Sequence, residues 1–343
     1  MSTRITGVGI VSRECRILAV VVIVSVTAAP PRGRKARKMS YNVIQIDPRP
    51  ASKDAMIELL KKNSPVVGIE FTLPALAQYI ESNIDGQHIP GGNGKPAIEL
   101  AMEVELPAKG TTLGVVRPDA DALGAIAVLN LRREEEESGF DRISIGIGSV
   151  TDSISKRVRL IAEHDKFSQG PWEKGSSNLS EDQLVFRGLS AIALDHKLSL
   201  DDRISRVEKW LCTEDCPGLG LSQEDVLEAR AKAKKESTIQ VIDGISVIES
   251  RNIGATELGY QKSPIIRNDA FRFQGGESHV KYTICQWKEG YINLPAIVKG
   301  LNEIEACGGT WGGSKTIAGS PQGVSSSLLM DKLVSIVKSH KMQ

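Results

Sequence analysis

The sequence predicts an α/β protein: an N-terminal domain whose mostly parallel sheet is flanked by helices, then a smaller C-terminal α/β domain with a mixed sheet. Three observations predict it. Residues 110 to 150 run from the apolar strand "TTLGVV" through the helical run "ALGAIAVLNLR" to the alternating, β-branched "DRISIGIGSV". A strand, helix, strand crossover of this kind is right-handed and joins parallel strands. Beyond residue 238, "TIQVIDGISVIES", "SPIIRNDAFRF" and "HVKYTICQW" read as strands of a second, mixed sheet. Finally, 343 residues with 41% apolar composition can bury two cores of ordinary size.

Composition narrows the partners. Lysine and arginine number 43 against 42 acidic residues, so no global positive field recruits nucleic acid or anionic membrane, and any such partner needs a local patch. Aromatic residues at 4% leave few rings for stacking on single-stranded bases. The cysteines Cys15, Cys212, Cys216, Cys285 and Cys307 lack the spacing of a disulfide framework, which fits a reducing compartment. "CTEDC" at 212 to 216 reads as a solvated turn, because no second pair is spaced to complete a zinc site.

Residues 1–38 place arginines, an apolar run, small residues and a basic segment in the order of a secretory signal. The run falls short of the ~20 residues that span a bilayer. Met39 opens "MSYNVIQIDPRPASKDAMIELL", a strand, a Pro-containing turn and an amphipathic helix, so the folded part is expected to begin there. Residues 1–38 are then an upstream extension or a targeting piece. A cytoplasmic location is expected, with export as the alternative, and no membrane partner for the folded part.

From 66 to 106 the chain reads as a Gly-rich turn between a candidate helix and a candidate strand, with His88 in the turn and solvent-exposed. Gly91, Gly92 and Gly94 lack the Lys and Ser or Thr that complete a P-loop. After the crossover, "TDSISKRVRLIAEHDKF" reads as a helix with Asp152 at its N-cap and Val158, Leu160 and Ile161 inward. A polar loop and the helical run "LVFRGLSAIALDHKLSLDDRISRVEKWL" complete the N-terminal domain, 39–222. A charged linker helix, 223–237, leads to the C-terminal domain, 238–343. There "TIQVIDGISVIES", "SPIIRNDAFRF" and "HVKYTICQW" read as strands, and "NLPAIVKGLNEIEA" as the last helix before a glycine-rich segment.

The chemistry concentrates at "VVRPDADALG". Two carboxylates separated by one residue, at the mouth of a strand-to-helix turn, can share a hard or borderline divalent cation. Carboxyl ends of strands are also where open α/β sheets bind ligands. A second reading stands beside this one: Asp119 is the N-cap of the helix, with Asp121 favouring the positive end of its dipole. In the second domain, His279, Arg267, Arg272 and Lys281 form a local basic group that reads either as a phosphate contact or as solvated strand ends. Trp172 and Trp311 read as core caps rather than base-stacking platforms.

"VVRPDADALGAIAVL" resembles the first motif of the DHH phosphoesterases, a strand ending in histidine, then Pro-Asp-x-Asp and a helix beginning Ala-x-Gly-Ser. "GGTWGGSKTIAGSPQG" is similar to the glycine-rich motif of the DHHA1 domain that follows in that superfamily. The resemblance implies hydrolysis of a phosphodiester or phosphoanhydride bond by a divalent metal, commonly manganese. It maps Asp119 and Asp121 onto metal and catalytic positions, and Asp152 onto the later single aspartate. Asp195 and His196 of "LDHK" fall on the Asp-His-His positions, with His164 and Asp165 as alternatives. Gly308, Gly309, Gly312, Gly313, Ser314, Lys315 and Gly319 fall on the substrate-gripping loop, whose exposed N–H groups suit phosphate.

The match departs from the pattern where Val115 replaces the first histidine and Lys197 the last. A degenerate metal site follows. The expectation is therefore a metal-dependent phosphoesterase acting on a nucleotide, short oligonucleotide or phosphorylated small molecule. The alternative is a silent relative that binds such a ligand without cleaving it. A homodimer is left open.

Overall fold

The structure is a computed structural model. It describes residues 39–343 apart from 50–51, 89–92, 139–148, 167–179, 214–222, 251–264, 272–278, 287–289, 314–315, 322–323 and 343. The second strand expected at 141 to 150 lies mostly outside the described residues, as do Trp172, Cys216, Ser314 and Lys315. Met39–Gln343 forms one compact unit.

The N-terminal part is a four-stranded parallel sheet. Strands β1 (Asn42–Gln45), β2 (Val66–Ile69), β3 (Ser82–Ile84) and β4 (Thr112–Val115) lie in the order β1-β4-β2-β3. Register pairs Gln45 with Val115 and Ile69 with both Val115 and Ile84, so the carboxyl ends of all four strands emerge along one edge. The two central strands are buried throughout. Successive side chains alternate between faces: Val67, Ile69, Leu113 and Val115 join one core, while Val66 and Val116 join another with Ile46, Leu60, Phe71 and Leu76. Helix α1 (Lys53–Lys62) contributes Leu60 to that second core. This two-sided burial is why the strands read as continuous apolar runs.

Between Val66 and Val104 the sequence reading needs correction. The segment before the Gly-rich turn supplies β2, a 3-10 turn (Pro74–Tyr79) and β3, and the segment after it is helix α2 (Ala97–Glu103). "AIELAME" carries Ala97, Ile98 and Ala101 inward at helical spacing, a pattern that the alternation of "EVELP" obscures.

Helix α3 (Ala120–Ser138) follows β4 and is buried on nearly every side from Ala120 to Leu131. Such a helix needs neighbours all round, and α2, α4 (Val150–Lys166), α5 (Glu181–Leu194) and α6 (Leu200–Thr213) supply them. Gly124 permits the closest approach. A Cβ there would sit 2.5 Å from Ile98 Cδ1, so α2 lies almost against the α3 backbone. On α4, Val158 and Ile161 are buried as expected, and Leu160 packs from the margin.

After α7 (Gln223–Glu236), a six-stranded mixed sheet runs in the order β5-β6-β7-β8-β10-β9. Its strands are β5 (Thr238–Ile242), β6 (Ile245–Glu249), β7 (Ile265–Phe271), β8 (His279–Cys285), β9 (Gly312–Gly313) and β10 (Ile317–Gly319). Only β6 and β7 pair in parallel. Helices α8 (Leu294–Ile304) and α9 (Met330–Ser339) close its core against Ile245, Val247, Tyr282 and Ile284. Helix α9 is an element that the sequence reading left unassigned. No helix among the described residues is long and apolar enough to cross a membrane.

Candidate metal centre

Every strand of the parallel sheet ends in an acid: Asp47 follows β1, Glu70 β2, Asp85 β3 and Asp119 β4. Three of these four, with Asp121, Asp165 and His88, converge.

Glu70 directly follows β2 with φ 47°, a left-handed conformation that costs a residue bearing a Cβ roughly 1–2 kcal/mol. The bend is held by its neighbours, since Phe71 N–H donates to Asn83 Oδ1 at 2.9 Å and Asn83 Nδ2 donates back to Phe71 O at 3.2 Å. Its carboxyl is buried. Asp85 Oδ1 accepts the N–H groups of Gln87 (3.0 Å) and His88 (2.9 Å), which folds the chain so that His88 Nδ1 comes to 3.2 Å from the same oxygen. Asp85 Oδ2 is buried and has no hydrogen-bond partner. His88 Nδ1 also lies 3.6 Å from Glu70 Oε1, and one donor atom from each of Glu70, Asp85 and His88 falls within 4.8 Å of the others. His88 is exposed, as its place in the turn led us to expect, with 33% of its side chain open to solvent, while its Nδ1 points at Asp85 and Glu70.

Asp119 and Asp121 enter from β4. Asp119 is the N-cap of α3, with Oδ1 accepting from Ala122 N–H at 3.0 Å. Asp121 is fully buried and reaches across to another helix, its Oδ2 accepting from Ala97 N–H at 2.6 Å and its Oδ1 from Ile98 N–H at 3.0 Å. It also hydrogen-bonds Glu70. Asp165, near the end of α4, bonds Gln87 and senses the charges of Asp121 and Asp119.

The electrostatic result is mutual repulsion in a dry site. Burial, then the carboxylates of Asp119, Asp121, Asp165 and Asp85, hold Glu70 well above the ordinary carboxylate range. Burial and then Asp119 push Asp121 up to about 7, against the pull of the Ile98 and Ala97 N–H groups. Asp165 is raised by burial and by Asp121 and Asp119. For His88, burial works downward, but the Asp85 hydrogen bond and charge outweigh it and hold the imidazole above its usual value. Burial would raise Asp85, yet its bonds from His88 and Gln87 hold it low.

Other residues named from sequence lie elsewhere or act locally. Asp152 is exposed in the first turn of α4, where Oδ2 accepts from Ser149 N–H at 3.1 Å and Ser149 Oγ at 2.8 Å. The "LDHK" run is not inside a helix: Asp195 is the C-cap of α5, its Oδ1 takes Lys197 N–H at 3.0 Å, and His196 and Lys197 are exposed in the turn before α6. His164 Nδ1 bonds the carbonyl of Leu160 at 2.9 Å and its ring lies beside Phe186. Val115 is buried in the core.

The glycine-rich segment forms the short hairpin of β9 and β10. Gly313 is required there, because a Cβ would lie 2.2 Å from Ile317 O. Gly312 is exposed beside it on β9, and Gly319 lies on β10 near the Lys281 side chain. Gly308 and Gly309 precede the hairpin, with Gly309 pressed against Pro321. Trp311 is a core residue stacked with Tyr282, and its Nε1 donates to Glu305 Oε2 at 3.0 Å.

Sequence reasoning missed Glu70, Asp85 and His88. Their signal is the acid that closes "VVGIE" and "SNID", the same punctuation seen in "VIQID" and "VVRPD".

No protein-family pattern matches the chain, and no curated protein matches it. Among solved structures it is similar to an exopolyphosphatase-related protein from Bacteroides fragilis, with 9% identity over 84% of this chain and 95% of that one. The TM-score is 0.24, a likeness that carries no argument about fold or activity.

Proposed function

We propose that the protein is a metal-dependent phosphoesterase whose centre is built from Glu70, Asp85, His88 and Asp119, with Asp121 and Asp165 behind them. The observation that carries this reading is Asp85 Oδ2, a buried carboxylate oxygen without a partner, set among further acids and one imidazole. A site of this composition is unfavourable unless protons or a cation fill it. The donor set fits a cation. Edges of 3.2 and 3.6 Å from His88 Nδ1 to Asp85 and Glu70 approach the ~3 Å separation of neighbouring ligands around an ion with ~2.1 Å bonds. Carboxylates with one imidazole and no thiolate suit manganese or magnesium.

A bound divalent ion would supply Lewis-acid activation of a water and a phosphoryl oxygen. The chain's own part is to hold the donors. Asp85 Oδ1 holds the backbone N–H of His88, the α2 N–H groups fix Asp121, and Asp121 in turn fixes Glu70. The substrate class remains the nucleotide, short oligonucleotide or phosphorylated small molecule that the sequence motif implies.

The second reading, binding without cleavage, is favoured by one observation: both oxygens of Asp121 and one of Asp119 already serve as helix caps. One experiment separates the two. Manganese is titrated calorimetrically into the full chain and into Asp85→Asn, and hydrolysis of bis(p-nitrophenyl) phosphate and of pyrophosphate is followed in both. Saturable binding and turnover that both vanish in Asp85→Asn support the enzyme. Binding without turnover supports the silent relative, and no binding by the parent removes the metal centre.

A further inference from the structure

Arg117 lies at the carboxyl end of β4, two residues before Asp119, with an exposed side chain. Its backbone is fixed by the buried Pro118 that follows and by Asp119 N–H, which donates to Arg117 O at 2.9 Å. Among the described residues no hydrogen bond, ion pair or ring contact engages its guanidinium. The β1 and β4 register pairs Gln45 with Val115, and Ile46 N–H donates to Val115 O at 2.8 Å, so Asp47 follows β1 at the same sheet edge from which Arg117 emerges. Asp47 is taken by another arginine: Arg49 Nε donates to its two oxygens at 2.9 and 2.8 Å, and Ser52 Oγ adds a bond at 2.6 Å. The acids nearest Arg117 in the chain are likewise committed, Asp119 to the α3 cap and Asp121 to α2 and Glu70.

A phosphorylated substrate approaching this edge meets the partly exposed Asp119, with the buried acids Glu70, Asp85 and Asp121 close behind, an acidic environment that disfavours an anion. A fixed cation at the lip is needed, and a guanidinium presents the planar fork that matches two phosphoryl oxygens. We propose that Arg117 is the anion clamp of the centre, holding the non-bridging oxygens of a phosphate-terminated substrate. This proposal rests on the phosphoesterase reading for its chemistry, but its own test does not require turnover.

The probe is methylenediphosphonate, whose P–C–P bridge resists hydrolysis, titrated into the full chain, Arg117→Ala and Arg117→Lys, first in chelator and then with saturating manganese. Manganese alone is titrated in parallel, and thermal melts check folding. The manganese isotherm of Arg117→Ala is expected to overlay that of the parent. Diphosphonate affinity is expected to fall about tenfold or more, with partial recovery in Arg117→Lys, whose charge lacks the fork. The proposal is overturned if diphosphonate binds Arg117→Ala within about twofold of the parent, or does not bind the parent in either condition. If manganese fails to bind the parent, the phosphoesterase reading falls, and the chelator series alone decides for or against the clamp by the same criterion.

Discussion

The buried carboxyls of Glu70 and Asp121 are hydrogen-bonded to each other, one from the end of β2 and the other from the first turn of α3. Two carboxylates cannot share a dry site without a proton between them. Burial and mutual repulsion hold both carboxyls above the ordinary carboxylate range, so the pair retains a proton, and Asp121 also receives the Ala97 and Ile98 N–H groups.

This pair makes stability fall with pH in the metal-free protein. An acid whose folded pKa is raised holds its proton in the native state after the unfolded chain has lost it. Its contribution is therefore full at low pH and is lost as pH rises through the folded value. For Asp121 the window runs from 3.8 to about 7, and the shift corresponds to something on the order of 4 kcal/mol. Urea unfolding in chelator is expected to show a higher midpoint near pH 5 than near pH 8, and Asp121→Asn should flatten the difference. Manganese added near pH 8 should restore the loss. A midpoint that rises between those two pH values would contradict the raised carboxyls.

Gly124 sets how closely α2 approaches the centre. Alanine gains about 1 kcal/mol of helix propensity, but its Cβ meets Ile98 Cδ1 at 2.5 Å and Cγ1 at 3.2 Å, and Ile98 is fully buried. Overpacking of that kind costs about 1–3 kcal/mol. Gly124→Ala is expected to destabilise the parent by about 1 kcal/mol. In an Ile98→Val background, which removes Cδ1, the same substitution is expected to stabilise. A thermal-melt double-mutant cycle reads the change of sign, and the same sign in both backgrounds would show that the contact is not what limits the approach.

How much of this was legible in the sequence depended on where each signal lies. The β4-α3 turn was visible because both aspartates fall within one short motif, and the C-terminal strands were visible because each is a β-branched run. Glu70, Asp85 and His88 were not, since it is the pairing of β2 with β3 and β4 that sets them at the same sheet edge as the β4-α3 turn. Each carries only the weak mark of an acid or histidine after a short apolar strand. Helix α2 was missed for a local reason: at seven residues it owes its stability to packing on α3 and to the carboxylate of Asp121 at its first turn. Asp195 and His196 misled because a three-residue match says nothing about the exposed turn that holds it.

Glu305 ties Trp311 of the glycine-rich segment to Ser326 and Ser327, which precede α9. Its carboxylate accepts from Ser326 Oγ (2.6 Å), Ser327 N–H (2.9 Å), Ser327 Oγ (2.7 Å) and Trp311 Nε1 (3.0 Å). Burial opposes ionisation here, but these bonds prevail and lower its pKa to about 2. A depressed carboxyl contributes stability above its unfolded value of 4.5, and that stability is lost as pH falls toward 2. Glu305→Ala is expected to cost about 1–2 kcal/mol at neutral pH. The reporter is Trp311, whose fluorescence should shift with the loss of its Nε1 partner. A spectrum unchanged from the parent would mean that the network is not formed in solution.

Glu70→Gln separates what the fold needs from what the site needs. The amide keeps the shape of the carboxyl and leaves the left-handed backbone as it is, while removing one ionisable group from a set that repels itself. The carboxyl oxygens that faced Asp85 and His88 become a weaker ligand. Near pH 8 in chelator the variant is expected to be more stable than the parent by about 1 kcal/mol or more, because Asp121 and Asp165 then ionise against one fewer negative neighbour. With manganese present the order should reverse, as the parent gains from an ion that the variant binds about tenfold or more weakly. Paired melts with and without metal test both halves. A variant less stable than the parent in chelator would mean that the Glu70 charge is already compensated by the protein itself. A variant that is more stable in both conditions would mean that the cluster holds protons and no cation.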